Sequence, residues 1–262
     1  MSNIIIDPYR FGIDCSSNVI SCSQKAYNFD GTDDWLKLLD DPDFSFAAVN
    51  NGSDINTAHS VCVYLKRTSV FSNEAIYSKG NGGSSLEYRI FFIGDDLFCD
   101  TYDATLGDYH RRSFANLNIS SGTWFHLSVA FGTAGAEVSV WVDGVSAGAG
   151  VGGSGGSGGD MEDLNTMFRI GDMLGSSGYF YQGLLMQFML WKDHKLTQAE
   201  VDYIYDSGTS LRNPTIDCGD YQISNKLKLW LKLEDGTDDS GNGNNLTLEN
   251  GLTHDITGAT PC

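Results

Sequence analysis

Apolar and polar residues alternate with a period of two along most of this chain. Between residues 125 and 131 every second side chain is large and apolar, and between 227 and 233 leucines alternate with lysine or tryptophan. This alternation predicts strands with one buried and one solvated face, as in antiparallel sheets. Further strands are predicted at 61–66, 87–94, 97–102, 111–116, 138–143 and 179–191.

Turn and helix signals separate these segments. Asp143-Gly144 is typical of a type I′ hairpin turn, in which both central residues have positive φ. Thr197 and Glu200 form a capping box, residues 201–205 carry an apolar stripe, and Gly208 follows as a helix stop. We expect one short helix here, bracing the edge of the fold.

About ten strands with short links and one short helix are typical of an all-β protein. We therefore predict an antiparallel β-sandwich or a jelly roll, with residues 1–262 forming a single domain. Residues 148–159 are almost all Gly and Ser, which suggests a linker. We interpret them instead as a long surface loop, because the segments on both sides look like consecutive elements of one domain.

Charge and cysteine content narrow the function classes. The formal net charge of −18 disfavours binding to nucleic acid or to anionic membranes. No segment has the roughly 18 apolar residues of a membrane span, and Met1–Ile6 lacks the basic start of a signal peptide. Without a secretion signal we expect reduced thiols, although Cys15–Cys22 and Cys218–Cys262 are pairs that could bridge.

Five short motifs occur in order along the chain. They are Phe29–Trp35, Trp124-x-His126, Val142-Asp143-Gly144, Ile170-Gly171 and Tyr181-Gln182-Gly183. Together they resemble the laminin-G-like branch of the concanavalin A-like lectin/glucanase superfamily. A segment that usually comes first in that family, here residues 231–244, lies near the end of this chain. The resemblance implies a two-sheet antiparallel β-sandwich of the jelly-roll type, which the front and back segments of the chain close together.

The chain departs from the family at two places. Where relatives often have Ile-Asp-Glu-Val, this sequence has Leu185-Met186-Gln187-Phe188, so the Asp that often helps to hold a structural calcium is missing. Hydrolytic relatives carry closely spaced carboxylates on one strand, and this sequence has none in the expected place. Retaining hydrolysis needs two carboxyl groups about 5–5.5 Å apart. We therefore predict a protein that is not an enzyme.

Four carboxylates are candidates for a metal site. Asp33 and Asp34 belong to the front motif, and Asp238 and Asp239 belong to the back segment. If the two ends meet, these hard oxygen ligands would suit Ca²⁺. The alternative, which we favour, is that the aspartates cap turns by accepting hydrogen bonds from nearby amides.

A second cluster has the chemistry of sugar binding. Aromatic rings cover the C–H face of a sugar, and planar polar groups bind its hydroxyls, so Tyr102, Asp103, Tyr109 and Arg111 are candidate carbohydrate-binding residues, with His110 and Arg112 beside them. The alternative, which we favour, is an ordinary exposed loop with amphipathic side chains.

The large aromatic residues and the histidine on the strands are less informative. Trp35, Trp141 and Trp230 could line an exposed sheet face or lie under a loop. We expect His126 to be packed against neighbouring side chains, because no nucleophile or metal ligand is evident beside it.

Similar laminin-G-like domains occur in virion proteins of tailed phages, with the Asp-Ser-Gly-Asn-Gly-Asn segment after the helix. The resemblance implies a non-enzymatic, virion-associated structural or host-glycan-binding protein, such as a capsid decoration, fibre or tail component. Its expected partners are other virion proteins and cell-surface glycans, and its expected location is the virion surface after assembly in the host cytoplasm. A homo-oligomer is compatible with this role. The alternatives are a carbohydrate-binding module of a cellular adhesin or polysaccharide-degrading system, and a glycosidase with displaced catalytic acids.

Overall fold

The computed structural model describes residues 18–20, 25–47, 56–69, 73–80, 86–103, 108–133, 137–152, 161, 163–173, 179–208, 211–232 and 235–254. The strands are β1 Val19–Ile20, β2 Tyr27–Asp30, β3 Trp35–Leu38, β4 His59–Arg67, β5 Asn73–Gly80, β6 Leu86–Ile93, β7 Asp96–Asp103, β8 Asp108–Phe114, β9 Phe125–Phe131, β10 Val138–Val142, β11 Val145–Ser146, β12 Val151–Gly152, β13 Phe168–Ile170, β14 Gln182–Lys192, β15 Leu211–Arg212, β16 Leu227–Leu231, β17 Thr247–Glu249 and β18 Thr253–His254. The α-helix among these residues, α1, spans Gln198–Tyr205.

Two antiparallel eight-stranded sheets form the sandwich. The first sheet has the order β11-β10-β9-β4-β14-β2-β18, with β16 also paired to β14, and the second has the order β12-β8-β7-β6-β5-β13-β3-β17. Strands β1 and β15 form a separate pair. The predicted all-β sandwich with one short helix is confirmed.

The main core lies between the two sheets. As the alternation predicts, Phe125, Leu127, Val129 and Phe131 all belong to it. The second sheet contributes every other residue of its strands, for example Tyr88, Ile90 and Phe92 of β6. The residues between them must therefore point away from this core.

A second apolar cluster covers the other face of the first sheet. Trp141, Trp191 and Trp230 lie there under the helix residues Val201 and Ile204. Two indole N–H groups find acceptors: Trp141 Nε1 donates to Gln198 Oε1 at 2.7 Å, and Trp230 Nε1 donates to Gln187 Oε1 at 2.6 Å. The sequence left open whether these tryptophans are exposed or covered. Trp141 and Trp230 are covered, and Trp35 is half-buried on the second sheet.

The helix begins as predicted, and it ends differently. Thr197 and Glu200 form the capping box. The left-handed residue at the C-cap is Asp206, with φ of 46°, two positions before the predicted stop at Gly208. The helix also lies on the face of the first sheet, over the tryptophan cluster, rather than bracing an edge. An eight-residue helix needs such packing, because isolated helices of this length are marginal in water.

The two ends of the described chain meet, as the resemblance implies. Strand β17 pairs with β3, so that Leu248 lies opposite Leu36, and β18 pairs with β2. The Tyr27 hydroxyl accepts a hydrogen bond from the Gly236 amide at 2.8 Å. The back segment therefore adds one strand to the edge of each sheet.

The structure corrects two sequence expectations. Cys218 is disulfide-bonded, so the expectation of reduced thiols is wrong for this residue; its partner lies outside the described residues, whereas Cys62 and Cys99 are free and buried. The start of the predicted 148–159 loop also contains β12, which pairs with β8, so the chain passes from the edge of one sheet to the other. Residues 153–160 lie outside the described part.

Among the described helices, none has the length and apolar character needed to span a membrane.

Candidate functional site

A continuous row of side chains crosses the outer face of the second sheet. Neighbours in the row are directly opposed residues of adjacent strands. The row consists of Arg111 on β8, Asp100 on β7, Arg89 on β6, Ser78 on β5, Arg169 on β13 and Lys37 on β3. With strands about 4.8 Å apart, it is roughly 24 Å long. It places four of the chain's 16 cationic residues in one line.

One carboxylate joins the two arginines at the β8 end of the row. Asp100 is fully buried; its Oδ1 accepts from Arg111 Nε at 2.7 Å, and its Oδ2 accepts from Arg111 Nη2 at 2.7 Å and from Arg89 Nε at 2.8 Å. These hydrogen bonds to Asp100 raise the pKa of Arg111. The Arg111 side chain is 32% exposed and the Arg89 side chain 14%. The pair is thus fixed in place and still accessible.

Aromatic rings surround both guanidinium groups. Arg111 lies 5.0 Å from the ring centre of Phe98, and Arg89 lies 4.7 Å from that of Tyr109 and 5.0 Å from that of Phe91. Phe91 and Phe98 stack on each other, away from the main core. We call the set Arg89, Phe91, Phe98, Asp100, Tyr109 and Arg111 the arginine–aromatic face.

The middle of the row is covered. The Ser78 hydroxyl donates to the Asp172 carbonyl at 2.9 Å, and Arg89 Nη1 lies 3.4 Å from Met173 Sδ. Arg169 is 1% exposed and pairs with Asp172 at 2.9 Å. The accessible part of the row is therefore its β8 end, together with Lys37 at the other end, which pairs with Glu249 at 2.7 Å.

The predicted sugar-binding residues lie on strands rather than in a loop. The structure brings Tyr102, Tyr109 and Arg111 to one face, with the two tyrosine rings 5.0 Å apart. Alternation places Asp103 on the opposite face of β7 from Tyr102, and Asp103 is buried. His110 and Arg112 likewise alternate away from this face. The prediction missed Arg89 and Asp100, which only the strand register reveals.

The four predicted metal ligands do not converge. Asp33 and Asp34 form a group with Asp30, whose ligand oxygens lie within 4.8 Å of one another, and neither metal-type group in the described chain includes Asp238 or Asp239. Asp34 accepts from the Asp30 amide at 3.0 Å, and Asp30 accepts from the Thr32 amide at 2.7 Å. Burial raises the pKa of Asp34. Asp30 and Asp34 therefore cap the turn, and for Asp34 this is the interpretation that the sequence favours.

The carboxylates of Asp238 and Asp239 also have partners within the protein. Asp238 accepts from the amides of Trp230, Ser240 and Asn244 at 2.9–3.0 Å, which ties the 238–244 turn to β16. Asp239 pairs with Lys232 at 3.2 Å. Met186, at the position of the missing calcium-binding Asp, is fully buried in the main core.

A second acidic group encloses a lysine. Asp40, Glu87 and Asp163 lie together, and the buried Lys79 Nζ is 2.6 Å from Glu87 Oε1 and 2.8 Å from Asp40 Oδ1. Burial raises the pKa of Glu87, and the Lys79 ammonium opposes that rise. Glu87 has no exposed surface, so it cannot touch a substrate. Lys79 and Glu87 form an internal ion pair, and Asp40 and Asp163 lie at its exposed side.

The described residues also line a small cleft beside the Trp124 motif. It includes Asn118, Trp124 and Asp143 and has a volume of about 90 Å³. Ligand pockets for small molecules are usually about 300 Å³ or larger. The cleft is too small to enclose a sugar, which makes the arginine–aromatic face the better candidate.

Comparison with known proteins identifies the family. A laminin-G family model with the description "Concanavalin A-like lectin/glucanases superfamily" matches residues 30–202. The chain belongs to the concanavalin A-like lectin/glucanase superfamily. The resemblance inferred from the five motifs is confirmed. No characterised protein matches this superfamily member significantly in sequence.

Two solved structures share the fold of this lectin/glucanase-superfamily chain. One is a heptameric SAP-like pentraxin from Limulus polyphemus, with a TM-score of 0.54 and 16% identity, covering 91% of this chain and 98% of the pentraxin. The other is a candidate carbohydrate-binding protein from Bacteroides ovatus, with a TM-score of 0.54 and 15% identity over 90% of this chain. This chain spans 61% of the Bacteroides protein. At these identities the likeness establishes a lectin-like jelly-roll fold.

Proposed function

We propose that this chain is a non-enzymatic carbohydrate-binding domain and that the arginine–aromatic face binds the sugar. One observation carries the proposal: half-buried Phe98 and Tyr109 lie beside two guanidinium groups that a buried carboxylate holds in place. Aromatic side chains suit the apolar face of a sugar ring, and fixed guanidinium N–H groups suit its oxygens. Residues on strands hold such a geometry more firmly than residues on loops.

The placement of the carboxylates supports the absence of catalysis. Within the described part of the chain, the two groups of neighbouring acids are the Asp30–Asp34 turn and the ion pair around Lys79. A glycosidase needs two carboxyl groups that both reach the bond to be cleaved. Glu87 is buried against Lys79, and Asp30 and Asp34 accept from amides of their own turn, so these three carboxylates have structural partners.

We further propose that the domain is carried on the virion of a tailed phage, as a capsid decoration, fibre or tail component that docks on other virion proteins. The support is the segment order, with residues 238–244 after the helix, as in the virion proteins that the sequence resembles. A carbohydrate-binding module of a cellular adhesin is the second candidate. Immunogold electron microscopy distinguishes them, because labelling of cell envelopes instead of particles would exclude the virion role.

Calcium binding is a separate proposal, now confined to Asp30, Asp33 and Asp34. One oxygen from each of these residues gives three of the six to eight oxygens that Ca²⁺ takes, so backbone carbonyls or waters would have to supply the rest. Binding to the native state would raise the melting temperature in calcium relative to EDTA. An unchanged melting temperature would exclude it.

A glycan array with two tyrosine variants tests the sugar-binding proposal. Tyr109→Ala removes a ring of the arginine–aromatic face, and Tyr203→Ala removes a tyrosine that stacks on Tyr221 beside the first sheet. We expect the wild type and Tyr203→Ala to bind the same glycans and Tyr109→Ala to bind them at least about tenfold more weakly. A blank array for the wild type, or equal binding by both variants, would contradict the proposal.

A further inference from the structure

The charges on the arginine–aromatic face contrast with those of the whole chain. The protein has a formal net charge of −18, yet the β8 end of the row presents two arginines and a single carboxylate. At the other end of the row, Arg169 and Lys37 each have their own acidic partner, Asp172 and Glu249. The local excess of positive charge is therefore confined to Arg89 and Arg111.

One carboxylate cannot neutralise two guanidinium groups. Asp100 is shared between Arg89 and Arg111, and neither arginine has another acidic partner among the described residues. Both guanidinium groups are partly removed from water by aromatic rings, and charges interact more strongly where the effective dielectric constant is lower. A second anion placed there would meet one net positive charge.

Each arginine of this pair keeps one terminal nitrogen without a hydrogen-bond acceptor in the described part of the chain. Arg111 uses Nε and Nη2 for Asp100, and Arg89 uses Nε for Asp100 and Nη1 for Met173. Within the described part of the chain, Arg111 Nη1 and Arg89 Nη2 donate to nothing. Guanidinium forks match the geometry of carboxylate and sulfate groups, with which they form stronger, charge-assisted hydrogen bonds.

We infer that the ligand of this face is an anionic saccharide, one that carries carboxylate or sulfate groups. The inference rests on the proposed carbohydrate-binding function and names the chemical class of its ligand. Phe98 and Tyr109 contact the sugar ring, and the remaining N–H groups of Arg89 and Arg111 donate hydrogen bonds to the acidic group. The net negative charge of the whole chain disfavours the binding of polyanions away from this face.

Two pairs of polymers, each with one backbone, test the ligand class. Polygalacturonate and its methyl ester differ in the carboxylate charge, and dextran sulfate and dextran differ in the sulfate. We expect at least one charged polymer to bind about tenfold or more tightly than its neutral partner, with an affinity that falls as NaCl rises from 20 to 200 mM. If the affinities differ in the polygalacturonate pair, the acidic group is a carboxylate; if they differ in the dextran pair, it is a sulfate.

The outcomes separate this inference from the function on which it rests. If the neutral polymers bind as tightly as the charged ones, the ligand class is wrong and carbohydrate binding stands. If none of the four polymers binds, the inference is overturned, and the glycan array then decides the proposed function independently.

Matched variants locate the binding. Arg111→Gln is expected to weaken binding of the charged polymer about tenfold or more. Arg111→Lys keeps the positive charge but loses the guanidinium fork, and its affinity should lie between those of the wild type and Arg111→Gln. Lys226→Gln removes the same charge from an exposed lysine next to β16 and should change affinity less than twofold. Equal losses in Arg111→Gln and Lys226→Gln would show that net charge alone is responsible and would overturn the site. If Arg111→Gln does not fold, Arg111→Lys and the salt dependence of the wild type decide.

Discussion

At the scale of single residues, His59 and His126 are two histidines with no exposed surface. The ring of His59 lies between Phe46 and Phe131, with ring centres 3.8 and 4.4 Å away. The His126 ring contacts Tyr64 at 4.7 Å and is fully buried, which confirms the packed role expected from the sequence. Burial lowers the pKa of each histidine to about 3. Both rings are therefore neutral at physiological pH.

The low pKa of His59 makes stability depend on pH. In the unfolded chain the histidine binds a proton below about pH 6.5, whereas in the folded protein it does not until about pH 3. Stability is therefore lost as pH falls below 6.5, by up to about 1.4 kcal/mol per pH unit for each such histidine. Replacing His59 by Phe removes one of the two contributions.

Urea unfolding of the wild type and of His59→Phe at pH 7.5 and 5.5 measures this effect. We expect the wild type to lose about 1 kcal/mol more than the variant between the two pH values, because pH 5.5 is one unit below the unfolded pKa. The comparison cancels the carboxyl groups, which titrate alike in both proteins. Identical pH dependence in the two proteins would show that His59 is not held neutral.

At the scale of elements, helix α1 depends on both its cap and its packing. The Thr197 hydroxyl accepts from the Glu200 amide, and the Glu200 carboxylate accepts from the Thr197 amide at 2.7 Å. The buried face of the helix then packs on the tryptophan cluster of the first sheet. Local sequence sets where the helix starts, and packing makes it stable.

The cap can be tested alone. Thr197→Ala should lower the free energy of unfolding by about 1 kcal/mol, because it removes the acceptor for the Glu200 amide. Thr197→Ser keeps the hydroxyl and should cost much less. The urea midpoints of the three proteins provide the measurement, and equal midpoints for Thr197→Ala and the wild type would contradict a role of the capping box in stability.

At the scale of the whole molecule, the back segment completes both sheets. Residues 246–254 bring β17 to the edge of the second sheet and β18 to the edge of the first. Leu246 and Leu252 of this segment join the main core and are only 4% and 6% exposed. This segment thus forms backbone hydrogen bonds to both sheets and buries Leu246 and Leu252 in the core between them.

Two leucine variants test how much the back segment contributes to stability, one in its buried part and one at an exposed position elsewhere. Leu252→Ala removes a core side chain and should lower the free energy of unfolding by about 2–4 kcal/mol. Leu39→Ala makes the same chemical change at a residue that is 71% exposed, and its effect should stay within about 0.5 kcal/mol. Similar small losses in both variants would mean that the back segment contributes little to the sandwich.

Much of the site could be anticipated and part of it could not. Tyr102, Tyr109 and Arg111 are recognisable from residue type and from proximity in the chain. Arg89 and Asp100 are not, because a carboxylate ten positions or more from its partners has no local signal; Asp100 lies opposite both arginines only through the register of three strands. For the same reason the sequence cannot tell whether Asp33 and Asp34 meet Asp238 and Asp239. In the structure the front pair groups with Asp30, while Asp238 binds amides around its own turn and Asp239 pairs with Lys232.

The sequence by itself determined the alternation of the strands, the start of the helix and the family. These properties depend on neighbours within a few positions, where backbone geometry directly relates side chains to one another. Only the tertiary structure decided that Trp141 and Trp230 are covered, that Cys218 is oxidised, and that Arg111, Asp100 and Arg89 form one row. Such facts depend on strand order and on which layer covers which face. Contacts between distant segments fix both.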